Sequence, residues 1–307
     1  MEQEKKVILL AGPTASGKSK LAIKLAQYIN GEIINADSMQ IYKEFRILSS
    51  RPSFQDEKKA KHHLFGFHSA KKPFSTGDWL MLVKKKINLC LKNKKIPILV
   101  GGTGLYFNAV INGLIKLPKI NKNFRHEIRQ LHEQLGQKNF YKKLIKIDPL
   151  AQQFVSLWDV QRSIKAYEIK AYTKKSLYEW FKLTKSDFTK FKIIKIFINT
   201  PRVILLQQIL KRIDLMFEQG CVEEVKKFLS LKIDKNLSVN KLIGVKEIKN
   251  YILGTKSKEE VKELIKIRTR QYAKSQLTWS RGHMKNWSKI YFKTPSHLLK
   301  EIVKQVF

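Results

Sequence analysis

Residues 12–19 read G-P-T-A-S-G-K-S, a complete phosphate-binding loop of the form G-x-x-x-x-G-K-S. Its neighbours place it in a fold. Residues 7–10 are a short apolar run, long enough for a buried parallel strand, and Leu21, Ala22, Leu25, Ala26 and Ile29 repeat at helical spacing. Strand, glycine loop and helix therefore follow in the order that lets successive backbone N–H groups point at one anion. Gly12 and Gly17 allow the inward turn. The candidate phosphate contacts are Gly12, Pro13, Thr14, Ala15, Ser16, Gly17, Lys18 and Ser19. Lys18 adds a mobile positive charge, and the Ser19 hydroxyl is the candidate ligand for Mg²⁺.

Three more segments extend the same pattern. Residues 32–36 (E-I-I-N-A) predict a second strand ending in Asp37, and residues 96–100 (I-P-I-L-V) a third that runs into Gly101-Gly102-Thr103-Gly104. Between them, Ser75 to Asp78 resembles a helix-start box ahead of an amphipathic stretch through Leu91. Strand and helix alternate, so a parallel sheet covered on both faces is expected, with ligands off the carboxyl ends of the strands. The loops at 12–19, 37–38 and 101–104 should converge on one crevice. Residues 119–190 read as mostly helical and lysine-rich, without a strong strand, and a buried-strand pattern returns at 191–198 (F-K-I-I-K-I-F-I). Pro201 then sits where a helix through about Phe217 opens, and a long basic helix is expected over 258–279. The expected architecture is an α/β, P-loop NTPase-like parallel core, 1–118 and 191–307, interrupted by a helical insertion at 119–190.

Charge narrows the function. Sixty-one Lys and Arg stand against 25 Asp and Glu in 307 residues, a net charge of +36. Such a field suits a polyanion, with nucleic acid favoured over an anionic membrane. Part of it also fits the lysine enrichment of an A/T-rich genome. Cys90 and Cys221 match no disulfide or metal spacing and read as reduced thiols. The expectation is a cytoplasmic protein without signal peptide or membrane span, since no run nears the roughly 20 apolar residues a span needs.

The usual nucleotide-hydrolase parts are missing. No apolar strand ends in an Asp that would hold Mg²⁺, because 96–100 ends in glycines, and no N-K-x-D motif occurs. The chain offers instead Asp37 and the Thr103 hydroxyl on the loops facing the phosphate loop. On residues alone, Asp37 is equally a helix N-cap after the second strand.

The segments A-G-P-T-A-S-G-K-S, N-A-D-S-M-Q-I-Y, I-L-V-G-G-T-G-L-Y-F, D-V-Q-R-S-I-K-A-Y-E and R-Q-Y-A-K-S-Q-L-T-W-S-R occur in this order. Together they resemble the tRNA dimethylallyltransferase (tRNA isopentenyltransferase) family over about residues 6–285. The resemblance implies transfer of a dimethylallyl group from its diphosphate to N6 of the adenosine 3′ of the tRNA anticodon, with release of pyrophosphate. It implies catalytic roles for Asp37 as general base, Thr103, and Arg212 near the diphosphate. It also implies tRNA contacts at Asp37, Ser38, Met39 and Gln40, at Arg125, at Gln161, Arg162, Ser163, Ile164 and Lys165, and at Lys241, Leu242, Ile243, Gly244, Val245 and Lys246. Mg²⁺ is the implied cofactor, tRNA and dimethylallyl diphosphate the partners, and a monomer the expected state. Without the resemblance, Arg212 reads as a solvent-facing arginine beside Lys211. In the late helix, Arg268, Arg270, Lys274 and Arg281 are candidates to touch RNA, whereas Tyr272, Leu277 and Trp279 are expected to pack.

Two departures stand out. The family's G-T-A-K-P is Leu48-Ser49-Ser50-Arg51-Pro52 here, which substitutes Leu48 for a glycine, and its K-R-Q is Lys274-Ser275-Gln276. The competing functions are an adenylate prenyltransferase, a P-loop small-molecule kinase and a non-catalytic RNA-binding protein with a relic loop. The insertion and net charge disfavour the first, the missing lid arginines the second, and intact Lys18, Ser19 and Asp37 the third.

Overall fold

A computed structural model describes residues 5–292 and 294–306; residues 1–4, 293 and 307, within the expected outer spans 1–118 and 191–307, lie outside the described residues. Two compact units emerge, one of residues 1–111 with 188–307 and one of residues 112–187.

In the first unit, β1 (Lys6–Ala11) leads through the phosphate loop into α1 (Lys18–Ile29) and β2 (Gly31–Asn35). A short α2 (Phe54–Lys59) and β3 (His62–His63) follow, then α3 (Thr76–Lys92), β4 (Ile96–Gly101) and α4 (Gly104–Asn112). The second unit holds α5 (Lys122–Ile147), α6 (Val160–Thr173) and α7 (Leu177–Lys182). The chain returns to the first unit with β5 (Lys192–Asn199), α8 (Arg202–Glu218), α9 (Cys221–Ser230), α10 (Val245–Ile252), α11 (Lys258–His283), β6 (Ser288–Tyr291) and α12 (Pro295–Val306).

The six strands form one sheet in the order β3-β2-β4-β1-β5-β6, every pairing parallel. This is the α/β P-loop-like core the alternation predicts. The central strands are apolar on both faces. Val7, Leu9 and Leu99 enter a core with Trp79, Val83 and Phe107, while Ile8, Leu10 and Ile98 enter another with Leu21, Leu25 and Ile302. A third core lies under α8 to α11, where Ile209, Ile213, Val225, Ile248 and Ile265 meet Phe45 and Leu48.

The expected caps form. Ser75 accepts from Asp78 N–H while Asp78 closes the box at the head of α3. Pro201 stands one residue earlier than expected, at the N-cap of α8, because its ψ of 142° is extended and Arg202 is the first helical residue. Strands β3 and β6 escaped the sequence: two and four residues are too short to show a period of two.

The second unit packs Phe140, Leu144, Ala151, Ala166 and Ile169 into its own small core. Its long α5 breaks at Gly136, where φ is 68°, a left-handed value that glycine adopts without penalty. Lys122, Arg125, Arg129, Lys138, Lys142 and Lys146 are exposed along α5. No helix among the described residues is long and apolar enough to cross a membrane.

Candidate active site

Because β2, β4 and β1 are adjacent and parallel, their carboxyl ends bring the three polar loops together. The cleft there has a volume of about 570 Å³ and is lined by Thr14, Lys18, Ser19, Asp37, Arg212 and Tyr272 among others. A second cavity of about 320 Å³ adjoins Gly12, Thr103, Phe107, Trp279 and Met284, and Tyr272 borders both.

The phosphate loop is wound as such a loop requires. Ala15 has φ 63° and Gly17 φ 80°, so a non-glycine residue sits in the left-handed region at this site. The Ser16 N–H donates to the Pro13 carbonyl at 3.2 Å. Ser16 Oγ is buried with no hydrogen-bond partner among the described residues. An unpartnered buried hydroxyl costs about 1–3 kcal/mol, so a hydroxyl inside a phosphate loop is poised for an anion's oxygen.

Two cations reach this loop. Lys18 Nζ donates to the Pro13 carbonyl at 3.1 Å. Desolvation in the cleft pushes its ammonium down to about 8, against the opposing pull of Asp37, and Arg212 lowers it further. Arg212 Nη1 donates to Thr14 Oγ1 at 2.7 Å, so it points into the site rather than into solvent. Burial also lowers its guanidinium, with Asp37 again acting in the opposite sense.

Asp37 follows β2 directly. Its own N–H donates to Asn35 Oδ1 at 2.8 Å, and its Oδ1 accepts from the Met39 N–H at 2.9 Å. The next helix starts only at Phe54, so Asp37 is not a helix N-cap: its Oδ1 instead closes a turn onto Met39, while Oδ2 has no hydrogen-bond partner among the described residues and Asp37 lines the cleft. Thr103 Oγ1 accepts from the Ser38 N–H at 2.9 Å and donates to Ser38 Oγ at 3.3 Å. In this state Thr103 therefore holds the turn after Asp37.

The remaining sequence candidates divide by exposure. Ser38, Met39 and Gln40 line the cleft with Lys241, Leu242 and Ile243. Gln40 Nε2 donates to the carbonyls of Ser49 and Ser50, both at 3.0 Å. Leu242, Gly244 and Val245 are buried, and Lys241 and Lys246 are exposed beside them. In the second unit, Arg125, Gln161 and Arg162 are exposed, Ile164 and Lys165 are partly buried, and Ser163 is fully buried. Ser163 Oγ donates to the Asp159 carbonyl and accepts from Gln137 Nε2, which makes its side chain part of the helix packing.

The altered loop at 48–52 is held by residues from other segments. Leu48 is buried against Gly244, whose φ is 103°, and a Cβ there would lie 2.6 Å from Leu48 Cδ1. The backbone N–H groups of Arg46, Ile47 and Leu48 all donate to the Glu224 carboxylate, at 2.6, 2.9 and 2.8 Å. The Ser49 hydroxyl donates inward to the Phe45 carbonyl at 2.7 Å, and Arg51 Nη1 to the Tyr42 carbonyl at 3.2 Å.

Three residues escaped the sequence. Glu224 reads as a surface acid of α9, and Gln276 as a departure-motif remnant. Tyr272 reads as packing, yet it lines the cleft, and burial followed by the Asp37 charge raises its phenol well above the ordinary range. Both Tyr272 and Gln276 stand at polar positions four apart on α11, a helix whose facing neighbours the sequence does not reveal. Leu277 and Trp279 do pack against the core.

One cluster of metal-type side chains lies elsewhere. Glu32, His63 and Cys90 are buried together at the amino end of β2. Their donors are used internally: His63 Nε2 and Glu32 Oε2 are 2.6 Å apart, the Cys90 thiol donates to the same oxygen at 3.4 Å, and Lys61 pairs with Oε1 at 3.4 Å. Burial disfavours the Glu32 charge, but His63 and Cys90 hold its carboxyl below the usual range, while burial pushes the Cys90 thiol up to about 12.

A family model described as IPP transferase matches residues 40–283. The chain belongs to the IPP transferase family. A tRNA dimethylallyltransferase of Pelagibacter ubique is 52% identical over 94% of this chain and 93% of its own length. One from Rickettsia massiliae is 39% identical over 92% of this chain and 78% of its own. Among solved structures, the full-length tRNA isopentenylpyrophosphate transferase of Bacillus halodurans superposes with a TM-score of 0.70 at 31% identity, covering 99% of this chain and 97% of the other. A eukaryotic dimethylallyltransferase acting on tRNA gives a TM-score of 0.78 at 28% identity, covering 93% and 73%. The resemblance carried by the five segments is therefore a family membership, and an IPP transferase fold spans both units.

Proposed function

We propose that this chain transfers the dimethylallyl group of dimethylallyl diphosphate to N6 of the adenosine 3′ of the tRNA anticodon. The observation that carries the reading is a phosphate loop facing a carboxylate: Lys18, Arg212 and the unpartnered Ser16 hydroxyl on one side, Asp37 on the other.

The adenine amine is a weak nucleophile because its lone pair is delocalised. As the N6–C1 bond forms, the C1–O bond breaks and its electron pair leaves with pyrophosphate. Asp37 takes the N6 proton, a contribution of about 10²–10⁴ in rate. Lys18, Arg212 and the loop N–H groups meet the charge that grows on the leaving oxygen, each well-placed donor contributing about 3–4 kcal/mol. Thr103 orients Asp37 through Ser38.

Ser19 offers a hydroxyl in the first turn of α1, and Asp37 a carboxylate in the same cleft. The Ser19 hydroxyl, a hard oxygen donor, fits Mg²⁺, which keeps most of its waters and binds through substrate phosphates, and Asp37 stays free to accept the proton. Bound at Ser19, it would supply charge neutralisation on the departing pyrophosphate.

A base stacked in an anticodon loop must be extruded to reach Asp37. Ser38, Met39, Gln40, Lys241, Leu242 and Ile243 line the cleft where that base would enter. The exposed Arg125, Gln161 and Arg162 offer cationic and polar contacts for the RNA backbone. A monomer is the proposed state, and tRNA as acceptor supports a cytoplasmic site of action.

The test is the fate of label from dimethylallyl diphosphate offered with Mg²⁺ and unmodified tRNA, with AMP, or replaced by [γ-³²P]ATP with small acceptors. Label in tRNA alone is expected. Label in AMP, or phosphate transfer from ATP, overturns the reading.

A further inference from the structure

The phosphate loop and the Asp37–Thr103 loops belong to different strands, yet the reaction needs a fixed distance between what they hold. One side chain from a third element spans them. Gln276 Oε1, on α11, accepts from the Thr14 N–H at 2.8 Å, and Gln276 Nε2 donates to the Gly102 carbonyl at 2.9 Å. A carboxamide presents an acceptor and a donor on one carbon and stays neutral at every ordinary pH.

Both ends of the span lead to reacting groups. Thr14 is the residue Arg212 grips, and Gly102 precedes Thr103, which holds the turn after Asp37. Gly102 also fits the amide closely: a Cβ there would collide with Gln276 Nε2. The Thr14 N–H is thus already occupied, and the anion is left to the donors further along the loop.

We propose that Gln276 is a positioning residue that sets the separation between the diphosphate grip and the general base. The proposal deepens the transferase reading and rests on it for its kinetic consequence. Attack requires the amine and C1 about 3–3.5 Å apart, and a misplacement of about 1 Å costs on the order of 10²-fold. Loss of the tie should therefore lower kcat while the grip on diphosphate itself persists through Lys18.

The test compares wild type with Gln276→Met, which keeps the volume but neither hydrogen bond. Three quantities are read: single-turnover transfer to saturating tRNA, calorimetric affinity for inorganic pyrophosphate with Mg²⁺, and hydrogen exchange of the Thr14 amide. The proposal predicts a rate lower by about 10–100-fold, pyrophosphate affinity within about threefold, and Thr14 exchange faster by at least about tenfold. Transfer by Gln276→Met at the wild-type rate would mean that packing alone matters and overturns it; so would a loss confined to pyrophosphate affinity. Should Gln276→Met fail to fold, Gly102→Ala displaces the amide with Gln276 in place and must give the same three changes. Thr14 exchange needs no substrate. If wild type itself transfers nothing, the function is wrong, and unchanged Thr14 exchange in the variant still counts against the tie.

Discussion

Arg212 Nη1 donates to Thr14 Oγ1 at 2.7 Å across 198 residues of sequence. The contact turns an arginine that reads as surface charge into part of the phosphate site. The buried face of α8, Leu205, Ile209 and Ile213, fixes the azimuth at which Arg212 leaves the helix.

Arg212→Lys keeps the charge but loses the planar fork. The account predicts that kcat for transfer falls by about 10²-fold, the loss of one preorganised donor. Steady-state kinetics with saturating tRNA would show it. A change confined to tRNA affinity would place Arg212 outside the diphosphate site.

Lys18 gives a pH dependence with a definite sign. Its ammonium loses a proton near pH 8 in the free protein, well below 10.5. Only the protonated form grips diphosphate, so kcat/KM for dimethylallyl diphosphate should be level below about pH 8 on this limb and fall as pH rises through it, about tenfold per unit. The folded state binds fewer protons than the unfolded one between those two values. The stability penalty of the buried charge is therefore present below pH 8 and relieved between 8 and 10.5. A Lys18→Arg variant should lose the limb near 8.

Glu224 accepts three successive backbone N–H groups of the loop leading to the altered 48–52 segment. Glu224→Ala should orphan them and cost about 2 kcal/mol, a drop in Tm of about 3 °C for a chain of this size. Calorimetry measures this. Limited proteolysis should find the new sensitive site at residues 46–52.

Much of this was legible in the sequence because local pattern and tertiary role agreed. The phosphate loop, the strands at β1, β2, β4 and β5, and the Ser75–Asp78 cap each carry their signal within a dozen residues. The convergence of three loops followed from parallel-sheet geometry alone. What stayed hidden depends on partners far along the chain. Glu224 meets residues about 177 positions away, and Gln276 spans 262 positions to Thr14, so neither has a local signature. Leu48 looked like damage to a glycine turn because Gly244, the residue it packs against, sits in another segment. Tyr272 obeys helical spacing for packing, and only the placement of α11 shows that its face borders the cleft.

The most direct measurement is mass spectrometry of tRNA digests after a single turnover at saturating tRNA, comparing wild type with Asp37→Ala. The account predicts N6-dimethylallyladenosine beside the anticodon from wild type and a rate lower by about 10²–10⁴-fold from the variant. Modification by Asp37→Ala at nearly the wild-type rate would contradict the account.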